Sequence, residues 1–294
     1  MNILVLSRNS SLYSTQSIVN AGRRRGHFMR VIDHMQCDLV MEGKNLQVYY
    51  QDELIDDYDA IIPRIGDAAT SYGSAVVRQF QLMGLFSTLD YEALLRARNK
   101  ISSLQLLAAH GIGVPKTVIS NNSYTIEESL DYLGGMPLVI KLAQGTHGIG
   151  VLLAENKKNA EAIIETFHKL KQRVILQEFV AEAKGADIRV LIVDDKITGS
   201  MKRQARTGEF RSNLHRGGNS TVVRLTEAEA YAAKQAAKIM GLDVCGVDML
   251  RSNKGPLILE VNASPGLEGI ETTTKIDIAG KIIQFCERNA EIKA

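Results

Sequence analysis

The order of strand and helix segments changes along the chain, and this change constrains the fold more than any other feature. In the first ~95 residues, short apolar strand segments alternate with helical segments. The strands lie at residues 3–6, 28–32 and 60–63, and the helices at 15–25 and 74–83. Such alternation predicts a small parallel sheet with helices on its faces. In the last third, consecutive strands are joined by short turns, which predicts antiparallel hairpins.

These patterns predict α/β and α+β structure in three units, at residues 1–95, 96–177 and 178–294. A helical segment at 91–111 connects the first two. The middle unit combines strands at 117–119, 138–142, 151–154 and 174–179 with helices at 126–133 and 158–171. The last unit combines strands at 187–193, 197–203, 246–252 and 256–262 with helices at 227–240 and 276–288. Loops after parallel strands usually carry binding groups, which points to residues 7–8 and 64–66.

Composition narrows the functional class. With 294 residues and a formal net charge of +2, the chain shows no overall charge that favours nucleic acids or membrane surfaces. No segment approaches the ~20 apolar residues of a membrane span, and the apolar start is too short for a signal peptide. The three cysteines, Cys37, Cys245 and Cys286, are far apart and odd in number, which favours buried free thiols. A cytoplasmic protein is therefore expected.

The hairpin at residues 246–262 predicts an acidic face. A three-residue loop at 253–255 would pair Ser252 with Pro256 and place Asp248 opposite Glu260. Asn262 would share that face, and the opposite face would carry Val247, Met249, Leu259 and Val261. Opposed like charges are destabilising unless positive charge lies between them. Two carboxylates and an amide oxygen suit Mg²⁺; the alternative is a solvated acidic face.

A glycine-rich turn at residues 145–150 lies between two strands. A P-loop or a dinucleotide fingerprint needs a strand followed by a helix, so both are excluded. The turn is either a flap that folds over phosphates or an ordinary hairpin turn. Lys141, within the apolar strand before it, is either on a solvated edge or close to a bound anion. Lys100 is a second candidate phosphate ligand, or a residue of a solvated helix face.

Other candidate ligands follow the middle unit. Residues 177–180 connect two units, where backbone groups can recognise an adenine edge; a plain linker strand is the alternative. Asp187 and Arg189 share one face of a strand, either as ligands of a ribose and a phosphate or as an internal salt bridge. A basic cluster follows, which suits phosphoryl transfer or is simply a solvated loop. It consists of Arg203, Arg206, Arg211, His215 and Arg216.

In this order, the motifs resemble the ATP-grasp superfamily, and within it the RimK-type alpha-L-glutamate ligases. Two long segments, 209–218 and 260–271, carry the specific part of the resemblance. The more general motifs are those at 12–14, 63–66, 96–100, 145–150, 177–179 and 187–189. The chain departs from the type member at His147, Lys202 and Gln204.

The resemblance implies an ATP-grasp fold with an N-terminal Rossmann-like (pre-ATP-grasp) domain, and an enzyme that joins L-glutamate to a carboxyl terminus with ATP and two Mg²⁺ or Mn²⁺ ions. In the type member the acceptor is a small-subunit ribosomal protein, and poly-alpha-glutamate is also made. The implied ATP ligands are Lys100, Lys141, Gly145, Thr146, Gly148, Glu178, Phe179, Asp187, Arg211, Ser212 and Asn213. The implied metal ligands are Asp248, Glu260 and Asn262, and the implied catalytic residues are Arg189 and Arg203. The candidates for substrate contacts are Arg64, His215, Arg216 and Ser264.

The expected reaction passes through an acyl phosphate, and ADP and phosphate are released. Two other hypotheses remain open from the sequence. One is a related ligase that joins an amino acid to a small molecule or a carrier protein, and the other is a non-catalytic ATP-binding module. The resemblance further suggests a homotetramer that binds neither nucleic acid nor membranes directly.

Overall fold

The computed structural model describes residues 1–120, 126–143, 150–206, 210, 212 and 218–290. The described strands are β1 (Asn2–Leu6), β2 (Phe28–Ile32), β3 (Cys37–Glu42), β4 (Asn45–Tyr50), β5 (Glu53–Leu54), β6 (Ala60–Pro63), β7 (Phe86–Ser87), β8 (Thr117–Ser120), β9 (Leu138–Leu142), β10 (Val151–Ala154), β11 (Val174–Glu178), β12 (Ala186–Val193), β13 (Lys196–Gln204), β14 (Asn219–Val222), β15 (Val244–Ser252) and β16 (Gly255–Asn262). The described helices are α1 (Tyr13–Arg24), α2 (Thr70–Leu82), α3 (Tyr91–Arg98), α4 (Lys100–Ala109), α5 (Ile126–Leu133), α6 (Lys157–Lys169), α7 (Glu227–Met240), α8 (Glu268–Thr274) and α9 (Ile278–Asn289).

The N-terminal sheet is parallel, as predicted, with strand order β2-β1-β6-β7. Strand β1 is an almost fully buried apolar segment, which is typical of parallel strands covered on both faces. Its end pairs with the end of β6, Leu6 with Pro63. The loops that begin at Ser7 and Arg64 therefore leave the same edge of the sheet.

A second, three-stranded sheet in this region differs from the sequence-based prediction. Strands β3, β4 and β5 form an antiparallel meander that pairs Glu42 with Asn45 across a tight turn. Gly43 in that turn has a φ of 59°, which glycine adopts without steric cost. Such half-exposed strands have a weak hydrophobic pattern, so they were missed.

The middle of the chain forms an antiparallel sheet with strand order β10-β9-β11-β8. Its apolar core is separate from the rest of the molecule and includes Leu138, Ile140, Ile164 and Leu176. The N-terminal and C-terminal sheets instead share continuous apolar clusters; one of them joins Leu4 and Leu6 to Val247 and Met249. The middle sheet therefore packs as a unit of its own.

The predicted single helix over residues 91–111 was wrong, because the chain forms two helices that meet at Asn99. Asn99 has φ −90° and ψ 94°, outside the helical region, and its side chain accepts a hydrogen bond from the Ser102 N–H at 3.1 Å. Asparagine is a favoured N-cap because its short side chain bonds the free N–H groups of the first turn. The break changes the helix direction between Arg98 and Lys100.

The C-terminal sheet is antiparallel, as expected from its hairpins, with strand order β14-β13-β12-β15-β16. Strand β16 is also attached to the segment after α4, since the Ile258 N–H donates to the Gly113 carbonyl at 2.7 Å. A Cβ at Gly113 would lie 2.6 Å from the Pro256 carbonyl oxygen, so only glycine permits this approach. The hairpin is thus held close to α4.

The hairpin turn differs from the prediction. Its loop has two residues rather than three, because Ser252 pairs with Gly255. A register shift at Asp248/Met249 then adds one residue to β16, so that Met249 pairs with Ile258 while Asp248 still pairs with Glu260. A bulge of this kind re-aims the side chains beside it. The two errors cancel at the acidic pair but not at Leu259, which lines a cavity instead of packing with Val247.

The C-terminal end contains one helix more than predicted. Helix α8 precedes α9, and α9 begins at Ile278, where the Asp277 side chain caps it by accepting from the Gly280 N–H at 2.9 Å. The three cysteines are buried free thiols, as predicted. Among the described helices, none has the length and apolar content needed to cross a membrane.

The arginine run at the end of α1 connects the first helix to the last. Arg25 donates from Nε and Nη2 to the two carboxylate oxygens of Glu287, both at 2.7 Å. His27 Nε2 lies 2.8 Å from Glu287 Oε1. The hydrogen bonds from Arg25 outweigh partial burial and, helped by His27, lower the pKa of Glu287 to about 2.

We expect Glu287→Gln to lower the free energy of unfolding by about 1 kcal/mol at pH 7, since the pair is partly exposed. Because the folded pKa is depressed, this contribution is present above pH ~4.5 and is lost as pH falls toward 2. Urea denaturation at pH 7 and at pH 3.5 measures it. The exposed Glu155→Gln serves as the control, and a difference from wild type that is equal at both pH values contradicts the prediction.

Candidate active site

A cavity of about 870 Å³ is lined by segments 12–15 and 64–67 beside the N-terminal sheet, by strands of the middle and C-terminal sheets, and by the α3–α4 connection. It is lined by the sequence-predicted residues Arg64, Lys100, Lys141, Glu178, Phe179, Asp187, Arg189, Arg203, Ser212, Asp248, Glu260, Asn262 and Ser264. The remaining candidates, Gly145, Thr146, Gly148, Arg211, Asn213, His215 and Arg216, lie outside the described residues. The described candidate side chains therefore surround one common space.

The acidic face of the hairpin forms one wall of the cavity. Asp248 on β15 lies opposite Glu260 on β16, as predicted, and Asn262 follows on the same face. The opposite face carries the buried side chains of Val247 and Val261. Strand alternation therefore separates the polar, cavity-facing side chains of the hairpin from the core.

Two arginines, rather than a cation alone, provide positive charge beside Asp248. Arg189 donates from Nε and Nη2 to the two oxygens of Asp248, at 2.7 and 2.6 Å. Arg203 donates from Nη2 to Asp248 at 2.8 Å, and from Nε and Nη2 to Asp187 at 2.6 and 2.5 Å. The alternative of an internal salt bridge between Asp187 and Arg189 is not realised, because each pairs with a residue on a neighbouring strand.

These ion pairs determine the pKa values of the charged side chains in this wall of the cavity. Burial would raise the pKa of Asp248, but Arg189 and Arg203 outweigh it and hold the pKa at about 2. Burial lowers the pKa of Arg203, but Asp248 and Asp187 outweigh it and raise the pKa above its usual value. Asp248 is therefore a carboxylate at any physiological pH, with both oxygens engaged.

Glu260 has different surroundings. Solvent reaches its side chain through the cavity, yet the enclosing protein atoms desolvate the carboxylate and Asp248 repels it, so its pKa is raised. Arg189, Lys141 and Lys100 partly offset this shift. Within the described residues, no hydrogen bond reaches the Glu260 carboxylate. Unlike Asp248, Glu260 therefore has carboxylate oxygens available to a ligand.

The donor set fits a hard cation in part. Glu260 offers a carboxylate, and the Asn262 side-chain oxygen accepts one hydrogen bond, from the Ser264 N–H at 3.0 Å, which leaves a second lone pair. Asp248 fits only if a guanidinium releases one of its oxygens. No cluster of three His, Cys, Asp or Glu residues able to hold a metal occurs in the described part of the chain. Glu260 and Asn262 would thus hold the ion, and a divalent cation has the charge to neutralise phosphate oxygens.

Two lysines face the acidic wall. Lys141 lies on the inner strand β9, paired with Val151 and Ile175, and Lys100 begins α4. Desolvation lowers the pKa of Lys141 to about 8; Glu260 counteracts the shift and Lys100 adds to it. Lys141 therefore lies inside the cavity and not on a solvated edge.

The cavity also has an apolar part, lined by Val139, Ile175, Met201, Leu250 and Leu259. Strand β11 ends beside it at Glu178, and the next residue, Phe179, makes no backbone hydrogen bond within the described residues. Free backbone groups at the edge of an apolar slot suit a flat heterocycle with donors and acceptors on its rim. The Gln177 side chain donates to Thr117 at 2.9 Å and has a structural role.

Sequence reasoning missed several cavity residues, of which Arg98 and Ser14 are the most informative. Arg98 donates from Nη2 to the Ile65 carbonyl at 2.5 Å, and the Ser14 hydroxyl oxygen accepts from the Leu267 N–H at 2.9 Å. They lie in the motifs at 12–14 and 96–100, but the sequence pattern indicated no role for these two residues. Their position could not be read from the sequence, because each meets a segment far away along the chain.

The fold, in which N-terminal, middle and C-terminal parts of the chain line one cavity, is an ATP-grasp fold with an N-terminal pre-ATP-grasp domain, as the resemblance implied. The chain matches the RimK-like ATP-grasp domain over residues 97–286 and the RimK PreATP-grasp domain over residues 1–94. The chain belongs to the RimK-like ATP-grasp family. It is an ATP-dependent ligase, and proteins of this family use ATP and divalent metal ions.

Related proteins match the chain over its whole length. It is 50% identical over 291 residues to a probable alpha-L-glutamate ligase of Hydrogenovibrio crunogenus, covering 99% of this chain and 97% of the relative. It is 52% identical over 293 residues to a probable alpha-L-glutamate ligase 1 of Hahella chejuensis, covering 100% and 97%.

The fold is also similar to that of solved structures. The ATP-grasp ligase PsnB, in complex with a minimal precursor, Mg and ADP, superposes with a TM-score of 0.75 over 98% of both chains. Its sequence is 20% identical, so this similarity concerns the fold alone.

Proposed function

We propose that this protein is an ATP-dependent carboxylate–amine ligase that adds L-glutamate to the C-terminus of a protein acceptor, or to glutamate and poly-alpha-glutamate. A small-subunit ribosomal protein is the proposed protein acceptor. One observation carries the proposal: Lys100, Lys141 and the open carboxylate of Glu260 face one another in a cavity with an apolar slot. The names of relatives that are 50–52% identical support glutamate as the amino acid.

The proposed roles follow the walls of the cavity. Lys100 and Lys141 would bind the phosphates of ATP, and Phe179 with the apolar slot would bind its base. The segments that contain Gly145, Thr146, Gly148, Arg211, Ser212 and Asn213 are proposed to complete this nucleotide site. Asp187 and Glu178 complete it from the neighbouring strands, and Glu260, Asn262 and Asp248 are the proposed ligands of two Mg²⁺ or Mn²⁺ ions.

The chemistry needs no side-chain nucleophile. The acceptor carboxylate attacks the γ-phosphorus of ATP, which forms an acyl phosphate and ADP, and the glutamate amine then displaces phosphate to form the peptide bond. Arg203 and Arg189 hold Asp248 in place beside the reacting groups and add positive charge as the transferred phosphoryl group develops negative charge. Arg64, Ser264, His215 and Arg216 are the proposed contacts of the substrate carboxylates.

The proposal includes the organisation of the protein. The units at residues 1–95, 96–177 and 178–294 would act as pre-ATP-grasp, central and C-terminal domains. We further propose a cytoplasmic homotetramer that does not bind nucleic acid directly; light scattering of the purified protein measures the oligomeric state.

Mass spectrometry tests the function. The protein is incubated with ATP, Mg²⁺ or Mn²⁺, glutamate and either an acceptor peptide ending in glutamate or free glutamate, and ADP is measured in parallel. We expect mass increments of one glutamyl residue each and one ADP per bond. ADP formation with another amino acid but not glutamate would indicate the related ligase. ATP binding without any ADP formation would indicate the non-catalytic module.

The pKa of Lys141 makes ATP binding pH-dependent. In the free protein this pKa is about 8, and a bound anion raises it, so the protonated form is favoured in the complex. We expect proton uptake on ATP binding near pH 8 and weaker binding as pH rises above 8. Calorimetry in two buffers of different ionisation enthalpy measures the uptake. Lys141→Met should abolish it, and an uptake that persists in this variant would contradict the assignment.

A further inference from the structure

Two arginines in the cavity lack a carboxylate partner within the described structure. Arg64 follows β6 and donates from Nη2 to the Pro265 carbonyl at 2.5 Å; Arg98 ends α3 and donates from Nη2 to the Ile65 carbonyl at 2.5 Å. Neither forms an ion pair with a described residue. By contrast, Arg189 and Arg203 in the same cavity are each paired with aspartates. The positive charges of Arg64 and Arg98 are therefore not balanced by a described carboxylate in an ion pair.

Their contacts place them next to Ser264. Arg64 bonds the carbonyl of the residue after Ser264, and Arg98 bonds the carbonyl of the residue after Arg64. The Nε of Arg98 and the Oγ of Ser264 are both buried and have no hydrogen-bond partner in the described part of the chain. Buried polar groups without partners are rare in native proteins and call for an explanation, and a bound group in the adjoining cavity is one that fits both residues.

The electrostatics of the pair agree with this geometry. Burial, together with a smaller effect of the neighbouring charge of Arg98, lowers the pKa of Arg64 to about 10. Burial likewise lowers the pKa of Arg98, which Asp67 and Glu260 partly offset. Two like charges in a desolvated place are unfavourable unless an anion lies between them.

The anion is expected to be a carboxylate. A guanidinium presents its donors in a planar fork that matches a carboxylate, and both forks are held by backbone carbonyls. The Ser264 N–H is bonded to Asn262, a proposed cation ligand, so this place adjoins the reacting groups. The lysines that suit ATP lie on α4 and β9, and the apolar slot is formed by β9, β11, β13, β15 and β16.

We propose that Arg98, together with Arg64 and Ser264, binds the non-reacting carboxylate of a glutamyl substrate. Arg98 then determines specificity for a dicarboxylic amino acid. This inference rests on the proposed ligase function and gives its substrate site a chemical definition. The carboxylate belongs either to free glutamate or to the C-terminal glutamate of the acceptor.

The test compares Arg98→Gln with Arg96→Gln. Arg96 lies on the same helix but donates to the Met240 carbonyl, away from the cavity, so it is a matched control. The KM values for glutamate, for an acceptor peptide ending in glutamate and for ATP are measured separately. We expect Arg98→Gln to raise the KM of one glutamyl substrate by about tenfold to a hundredfold, with that of ATP unchanged. The affected substrate identifies the source of the carboxylate.

Substrate discrimination provides a second measurement. Wild type should prefer the glutamyl substrate to its glutaminyl counterpart, and Arg98→Gln should lose most of this preference. If both KM values and the preference stay at wild-type levels, or if all three KM values rise together, the carboxylate site is wrong. Should Arg98→Gln not fold, Ser264→Ala removes a single oxygen and should raise the same KM severalfold; unchanged values there overturn the site.

Calorimetric binding separates this inference from the proposed function. Free glutamate and the acceptor peptide are titrated into wild type and Arg98→Gln, each with a non-hydrolysable ATP analogue and Mg²⁺. If wild type forms no peptide bond but binds one of these carboxylates more tightly than Arg98→Gln does, the ligase function fails and the site stands. If peptide bonds form and the two proteins bind both ligands equally, the function stands and the site fails.

Discussion

Glu260→Gln is expected to reduce ADP formation at least about a thousandfold while the protein stays folded. No described hydrogen bond engages the Glu260 carboxylate, which lies beside Asp248 on the cavity wall and interacts with the charges of Lys100 and Lys141. The amide keeps the shape of the side chain but removes the charge that a divalent cation requires. Losing this charge stabilisation costs several kcal/mol in the transition state, and each 1.36 kcal/mol is a factor of about ten in rate.

The stability of this variant should not fall although its activity does. The hairpin is anchored by Val261 and Ile258, which are buried on the opposite face, so thermal denaturation should match wild type or lie above it, because a repulsive carboxylate is removed. Glu165→Gln on α6, an exposed position, is the control for a glutamate replacement without effect. Wild-type ADP formation by Glu260→Gln would remove Glu260 from the reaction.

Arg203→Met should have the largest effect on stability. The Arg203 side chain is 5% exposed and bonds Asp187 and Asp248, which are 8% and 5% exposed. Methionine leaves Asp187 without its ion-pair partner and Asp248 with Arg189 alone. Removing one partner of a buried charge network costs about 3–5 kcal/mol, so we expect a loss of about 3 kcal/mol in the free energy of unfolding. Turnover should fall with it.

The loss should depend on pH in a defined direction. The folded pKa of Asp248 is about 2, below its unfolded value, so the network stabilises the fold above pH ~4 and weakens as pH falls toward 2. Urea denaturation of wild type and variant at pH 7 and pH 3 should show the larger difference at pH 7. Lys202→Met, the neighbouring residue on the opposite face of β13, is the control. A difference below 1 kcal/mol at pH 7 would mean that the network does not stabilise the fold.

Local patterns predicted most of the regular elements. Strands β2, β6, β9 and β10 and helices α5 and α7 have the predicted bounds, because the strands are largely apolar segments and the helices are amphipathic. The break at Asn99 and the extra helix α8 were missed. A single capping residue within a helical pattern and a seven-residue helix both leave too weak a periodic signal.

In the candidate site, one prediction from local sequence was correct although the turn geometry assumed for it was wrong. The opposition of Asp248 and Glu260 was predicted from a three-residue loop, yet a two-residue loop and a bulge produce it. Leu259 reveals the difference, since the bulge turns it toward the cavity. Register within a hairpin depends on the sum of the turn and any bulge, and the sequence pattern constrains only that sum.

The sequence by itself determined the family, three of the four sheets and thirteen of the side chains that line the cavity. These features depend on motifs and on alternation along the chain, which are local properties. Only the tertiary structure decided which charges are neutralised. Arg189 and Arg203 engage Asp248 from neighbouring strands, while Glu260 keeps an open carboxylate and Arg98 and Arg64 keep open guanidiniums. Pairing and desolvation depend on distances between residues far apart in the chain, so no local pattern encodes them.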